Sequence, residues 1–255
     1  MIRAIFVAQI SGSQMKDKNI LNQLKVVCSL CSLRELCLPL GFGQEELQQL
    51  DELTGAKRLV KRGEYLYRAG NRFGAIYAIR GGFFKTSVMH EDGREHVTGF
   101  HMMGDIMGLD AIGTGTHACD AVALDYSEIC EIPFDRLSEL SMTMPVLHQN
   151  LHRIMSREIA FDHEIMLMLG KMKAEERLAA FLLNLSQRFS ARGYSAVSFQ
   201  LRMTREEIGS YLGLKLETVS RIFSRFQEEG LIEVQKKLIE LKDAPGLKRL
   251  IRGLA

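Results

Sequence analysis

The sequence predicts an α+β chain in which an antiparallel β domain of jelly-roll type is followed by one long helix and then a small helical domain carrying a hairpin. Three observations carry this. Between about residues 57 and 135, short apolar runs such as 75–79 and 83–88 are cut by glycines at 63, 70, 74, 81, 82, 93, 99, 104, 108, 113 and 115. Strands joined by tight turns accept that spacing and a helix does not. From Val146 to about Met172 the only Gly or Pro is Gly170, so about seven helical turns run on, far beyond the ~11-residue average. The charge then changes sign: residues 171–255 hold 16 Lys and Arg against 10 Asp and Glu, and residues 1–170 hold 17 against 21.

A chain of 255 residues, 46% apolar and 25% charged, makes one large or two modest domains and buries a core without disulfide or metal staples. Collagen-like, low-complexity and grossly disordered classes are excluded. No apolar run approaches the ~20 residues that span a bilayer. The opening MIRAIFVAQI is followed by SGSQMKDKN without an A-x-A-like cleavage site, so the expectation is a cytoplasmic protein with no membrane partner. Five cysteines, an odd number, then argue for thiolate chemistry over a disulfide framework.

In chain order, residues 1–20 lack a sustained period and read as a mobile arm, and a cysteine-bearing segment occupies 28–37. The expected division is an arm over 1–40, a β domain over 41–143, a long helix over 144–173 and a terminal domain over 174–255. Two apolar seams run along the long helix. One is Leu147, Leu151, Ile154, Phe161, Ile165, Met168 and Met172, interrupted by Glu158; the other is Met155, Ile159, Met166 and Leu169, interrupted by Asp162. One seam suits the β domain and the other a second helix, which predicts a coiled-coil homodimer. In that dimer Ile159 and Met166 favour pairing, while Asp162 faces its own copy. Two carboxylates at ~4 Å repel by about 4 kcal/mol at an effective dielectric of ~20, before desolvation, so Ile159, Asp162 and Met166 read as a dimer switch. His148 and His152, one turn apart, could also bind metal.

In the basic third, Thr204 and Glu207 form a capping box. Ile208, Tyr211 and Leu212 then give one helix its apolar face, and Gly213 supplies a turn. Val219, Ile222 and Phe226 give a second helix its buried stripe. The opposite face carries Glu217, Ser220, Arg221 and Arg225, the donors and acceptors a major-groove reader needs. A hairpin at 231–241 presents Lys236 and Lys237 to phosphates. No P-loop, G-x-S-x-G, H-E-x-x-H or dinucleotide fingerprint occurs, so an enzyme is not expected.

Cys28, Cys31 and Cys37 form a C-x2-C-x5-C cluster. Thiolates select zinc, copper(I) or an iron–sulfur cluster, and a fourth ligand must come from Cys119 or Cys130.

Together these features resemble the cyclic-AMP-receptor/fumarate-and-nitrate-reduction regulator superfamily. The strings YAIRGG, TGFHMMGD, DAIG, CEIPF, AEERLAAFLLNLSQRF, MTREEIGSYLGL and ETVSR resemble its oxygen-sensing branch, with the likeness covering residues 28–242. The resemblance implies a transcription activator in which a [4Fe–4S] cluster holds a DNA-binding homodimer together until molecular oxygen degrades it. It implies Cys28, Cys31, Cys37 and Cys130 as ligands, with Cys119 spare. Glu217, Ser220 and Arg221 fall on its E-x-x-S-R base readers, implying palindromic TTGAT-type sites at genes of anaerobic metabolism. Lys215 departs from the family's small hydroxyl residue, which implies a weaker cap or an added phosphate contact. The turn at Glu91, Asp92, Gly93 and Arg94 resembles a surface used against RNA polymerase. Cyclic-AMP-binding relatives carry a Glu after a G-D-x-x-G turn and an Arg-Ser or Arg-Thr pair about ten residues on. Here Leu109 follows Gly104-Asp105-Ile106-Met107-Gly108 and the pair's place falls near Cys119-Asp120, so no cyclic nucleotide is expected. A haem-based or zinc-stapled regulator on the same scaffold is the alternative.

Overall fold

The computed structural model describes residues 28–55 and 57–251; the reading of residues 1–20 as an arm lies outside them. Helix α1 (Gln44–Leu53) leads into eight strands: β1 (Lys57–Val60), β2 (Tyr65–Tyr67), β3 (Ala75–Gly81), β4 (Phe83–Met89), β5 (Glu95–Met102), β6 (Ile106–Met107), β7 (Asp120–Ala123) and β8 (Ser127–Pro133). They form two four-stranded sheets, ordered β1-β8-β3-β6 and β2-β7-β4-β5, with every pairing antiparallel. This is the double-sheet roll that the glycine spacing predicts. Gly82 shows why glycine is needed: its φ is +90°, and a Cβ there would lie 2.1 Å from the Ser127 hydroxyl, so only a residue without a side chain turns β3 into β4.

Three short helices, α1, α2 (Phe134–Thr143) and the terminal one at Ala244–Ile251, belong to no feature of the sequence reading. The first had a local signal: the Gly43 N–H donates to the Glu46 carboxylate at the helix start, and Leu47, Leu50 and Leu53 recur every third residue and are buried.

The long helix α3 (Pro145–Lys171) starts on Pro145, whose missing N–H costs nothing in a first turn. Its first seam faces the chain's own body, with Leu147, Ile154 and Met168 buried; Ile159 and Met166 of the second seam are 57% and 60% exposed. The terminal domain holds α4 (Ala174–Ser190), β9 (Ser198–Gln200), α5 (Arg205–Leu212), α6 (Leu216–Glu228), β10 (Ile232–Gln235), β11 (Leu238–Leu241) and α7 (Ala244–Ile251). The expected hairpin is β10–β11, to which β9 adds a third strand. No helix among the described residues is long and apolar enough to cross a membrane.

Arg177 of α4 joins the long helix to the terminal domain. Its guanidinium donates to the carbonyls of Leu169 (2.7 Å), Met172 (3.0 Å) and Leu212 (2.9 Å), so one side chain satisfies carbonyls at the C-terminal ends of two helices. A second joint lies at the β5–β6 turn. Asp105 pairs with Arg188 at 2.5 Å and Arg192 at 2.6 Å. Burial alone would raise the Asp105 carboxyl, but those two guanidinium groups hold it below the ordinary carboxylate range. Between the joints runs one apolar cluster containing Phe83, Val97, Phe100 and Met102 of the sheet with Phe181, Leu182, Tyr211 and Leu212 of α4 and α5.

Candidate metal centre and nucleic-acid interface

The segment 28–37 folds as tight turns. The Cys31 N–H donates to Cys28 O at 3.1 Å, Arg34 N–H to Cys31 O at 3.3 Å and Cys37 N–H to Arg34 O at 3.3 Å. In i→i+3 turns, side chains three residues apart eclipse one another. Positions 28, 31 and 37 differ by multiples of three, so the C-x2-C-x5-C spacing turns its thiols toward one side. Both ends of the segment are tied down. The Cys28 N–H and the Ser29 hydroxyl donate to the Asp51 carboxylate of α1. At the other end the buried Asn150 of α3 donates from its side-chain amide to the carbonyls of Leu38 and Leu40, each at 2.8 Å.

Cys130 comes from β8, opposite Ala78 of β3. It lines the same pocket as Cys28, Cys31 and Cys37, walled by Leu38, Leu50, Ile79 and Ile132. Burial, with Asp51 and the neighbouring Cys37 and Cys130, raises the Cys28 thiol far above its usual range. Burial likewise pushes Cys37 up to about 12 and Cys130 up to about 11. Thiols so placed keep their protons until a cation displaces them. Among the described residues no three His, Cys, Asp or Glu stand close enough to share one metal ion. Four thiols around one apolar pocket are a donor set that a [4Fe–4S] cubane takes, one thiolate to each iron, and that a tetrahedral zinc also takes.

Cys119 lies elsewhere. Its thiol is 3.8 Å from the Asp110 carboxylate and is raised to about 12 by burial and that charge. Beside it the buried His117 stacks on Tyr67, with ring centroids 3.8 Å apart, and sits 3.4 Å from Asp110. Asp120 accepts from the Ala69 N–H at 2.8 Å.

The capping box closes as expected: the Thr204 N–H donates to the Glu207 carboxylate at 2.7 Å, and the Glu207 N–H to the Thr204 hydroxyl at 3.1 Å. Gly213 ends α5 in the left-handed region at φ +64°. Val219, Ile222 and Phe226 of α6 are buried, joined by Phe223, which the sequence reading omitted. Glu217, Arg221 and Arg225 are exposed and Ser220 is half-buried. Lys215 stands at the N-cap of α6 without a side-chain cap bond. Arg225 is engaged by Glu175 and by Glu229, the latter at 3.1 Å, so its guanidinium is already neutralised, whereas Arg221 makes no ion pair among the described residues. Lys236 and Lys237 form the β10–β11 turn, Lys236 at φ +59°. Glu91, Asp92, Gly93 and Arg94 are exposed in the β4–β5 turn, with Arg94 paired to Asp92 at 2.6 Å.

Sequence reasoning also missed Lys85. This β4 lysine is 9% exposed and reaches Glu95 at 2.8 Å and the capping residue Glu207 at 3.1 Å. The Ser210 hydroxyl of α5 accepts from the Val97 N–H at 2.9 Å and donates to Glu95 O at 3.1 Å. The helix that supports the recognition helix is therefore docked on the β4–β5 ribbon.

Residues 176–250 match the Crp-like helix-turn-helix domain and residues 57–144 the cyclic nucleotide-binding domain. The transcriptional activator protein Anr of Pseudomonas aeruginosa is 48% identical over 226 residues, 89% of this chain and 93% of that protein. The fumarate and nitrate reduction regulatory protein of Salmonella typhimurium is 46% identical over 223 residues, 88% of this chain and 89% of that protein. The chain belongs to the fumarate-and-nitrate-reduction family of transcriptional regulators. This family member is a transcription factor and not an enzyme. Its fold is that of the solved structure of FixK2 from Bradyrhizobium japonicum, at a TM-score of 0.72 and 27% identity over 77% of this chain and 96% of that one.

Proposed function

We propose that this regulator senses oxygen through a [4Fe–4S] cluster held by Cys28, Cys31, Cys37 and Cys130, and that it binds DNA as a homodimer while the cluster is intact. The observation that carries the reading is that three thiols from one turn segment and a fourth from a strand about a hundred residues away line a single apolar pocket. When bound, the cluster would be held by these four thiolates and would supply the oxygen-sensitive iron–sulfide core. The chain's own residues relay the outcome. Leu38 and Leu40, directly after Cys37, are hydrogen-bonded to Asn150, three residues into the turn after Leu147, so the cysteine segment is braced on the helix whose outer seam makes the dimer. Asp162 opposes pairing and the exposed Ile159 and Met166 favour it, leaving a balance that a few kcal/mol decide.

In the dimer, Glu217, Ser220 and Arg221 read TTGAT-type half-sites, and Lys215 and Lys237 contact phosphates; Arg225 joins them by exchanging its carboxylate partners for phosphate. The Glu91–Asp92–Gly93–Arg94 turn meets RNA polymerase. The protein works in the cytoplasm, where thiols stay reduced. No cyclic nucleotide is used: the Tyr67–His117 stack and the carboxylates of Asp110 and Asp120 occupy the region where a phosphate would need cations.

Protein purified without oxygen should be brown with broad visible absorbance; a sharp Soret band would mean haem, and a colourless protein zinc or nothing. Iron and sulfide should vanish in Cys→Ser variants at 28, 31, 37 and 130 and persist in Cys119→Ser. Cluster retained in Cys130→Ser but lost in Cys119→Ser would overturn the ligand set. Asp162→Ala should sediment as a dimer in air with the cluster lost, and a monomer at micromolar concentration would refute the switch.

A further inference from the structure

We infer that His148 and His152, with the same two residues of a second copy, form a site for a divalent transition-metal ion such as Zn2+ at the N-terminal end of the paired long helices. The inference rests on the homodimer proposed above. Its first support is register. The outward row of α3 runs His148, His152, Met155, Ile159, Asp162, Met166 and Leu169, in steps of 4, 3, 4, 3, 4 and 3. Each position follows by one residue a position of the row that faces the body. That 3.5-residue spacing is the a/d seam of a two-stranded coil, and it extends the seam two positions beyond Met155, to two histidines. Both are exposed in the single chain.

The second support is local. One helical turn separates the two residues, and their rings meet edge to face with centroids 4.2 Å apart, so both imidazoles already turn to the same side. Neither imidazole makes a hydrogen bond or ion pair with a described residue, which leaves the ring nitrogens uncommitted. The third support is the donor count. Among the described residues no further His, Cys, Asp or Glu joins this pair to make a group of three, so, apart from the cysteine pocket, one chain offers this site two donors. Two parallel copies bring four imidazoles to two adjacent levels of the seam, and four nitrogen donors make the tetrahedral set zinc accepts at ~2.0–2.1 Å. Nitrogen donors without carboxylates select zinc, copper or nickel over calcium and magnesium. An ion bound by the dimer and not by the monomer would favour pairing by mass action, from the end of the helix opposite to Asp162's influence.

The test uses the full chain, cluster-loaded and anaerobic, so that the cysteine thiolates are engaged. Sedimentation without added zinc first establishes the dimer; a monomer at that stage would remove the dimer reading and the site with it. Equilibrium dialysis against Zn2+ should then give one zinc per two chains, absent from His148→Gln and from His152→Gln while both variants still sediment as dimers. Equal zinc content in the wild type and the double variant would overturn the proposal, as would one zinc per chain.

Discussion

The thirteen residues of α6 bury four side chains, Val219, Ile222, Phe223 and Phe226, whereas the turns at 28–30 and 34–36 bury none. The DNA-reading unit is also closed by reciprocal bonds at Thr204 and Glu207, and by the Arg177 guanidinium on three carbonyls. Among the described residues, hydrogen bonds tie the cysteine segment to α1 and α3 at its two ends, on Asp51 and Asn150, while Cys28 and Cys37 pack half-buried against the core beneath it. Elements with few buried contacts open at low free-energy cost, and densely packed ones only with the whole domain. On the function proposed above, the difference teaches that signal and readout occupy opposite ends of the stability range: the sensor would rearrange while the reader stays folded.

The strongest way to break this contrast is to cut the joint between the two regions. Asp105→Asn leaves Arg188 and Arg192 facing each other without their shared anion, and should cost about 3–5 kcal/mol of stability, read by denaturant midpoint. The sign with pH follows from the depressed carboxyl. The contribution is complete above the unfolded value of ~3.9 and is lost as pH falls through the lower folded value, so the gap between wild type and variant should close below about pH 4. A gap that widened on acidification would show that the pair does not carry the joint.

At the reading end, Arg221→Ala should cost ~1–3 kcal/mol on the cognate site and relax preference at one base, while Lys237→Ala should weaken all sequences alike and lower the salt slope by about one charge. Equal losses on cognate and scrambled DNA for Arg221→Ala would mark it as a phosphate contact. The two N-caps sharpen the contrast within the reader: Thr204→Ala should lose ~1 kcal/mol, and Lys215→Ser, which adds the missing acceptor, should gain stability. At the sensor end, Leu30→Ala, at a residue 85% exposed, should move apo-protein stability by less than ~0.5 kcal/mol. A loss comparable with a core deletion would show that the cysteine segment is packed after all.

The same contrast explains what could be read from the sequence. Thr204 with Glu207, Gly213 and the stripe from Val219 to Phe226 are signals within a few residues, so the helix-turn-helix was legible almost side chain by side chain. The C-x2-C-x5-C spacing was equally visible. The choice between Cys119 and Cys130 was not available from spacing, because it depends on which sheet each strand joins: Cys130 pairs across from Ala78 at the pocket, while Cys119 belongs with Tyr67 and Asp110. Lys85 with Glu207 and Asp105 with Arg188 are about 80 to 120 residues apart in the chain and leave no local trace. Helix α1 was readable through Glu46 and its leucines, and was obscured by the glycine-rich sequence that follows.

The shared apolar cluster has a consequence for how the chain can be divided. Phe100 of β5 sits 5.1 Å from the Tyr211 ring and 5.9 Å from the Phe181 ring, so the wall that seals the reading unit is made of sensory strands. A fragment beginning at Ala174 would expose that aromatic face and invite aggregation. The break between the two domains in the sequence is thus not a seam in the folded molecule. Transplanting this helix-turn-helix onto another sensor would require carrying the β4–β5 ribbon with it, and the unit of inheritance for DNA reading in this chain is larger than the motif that does the reading.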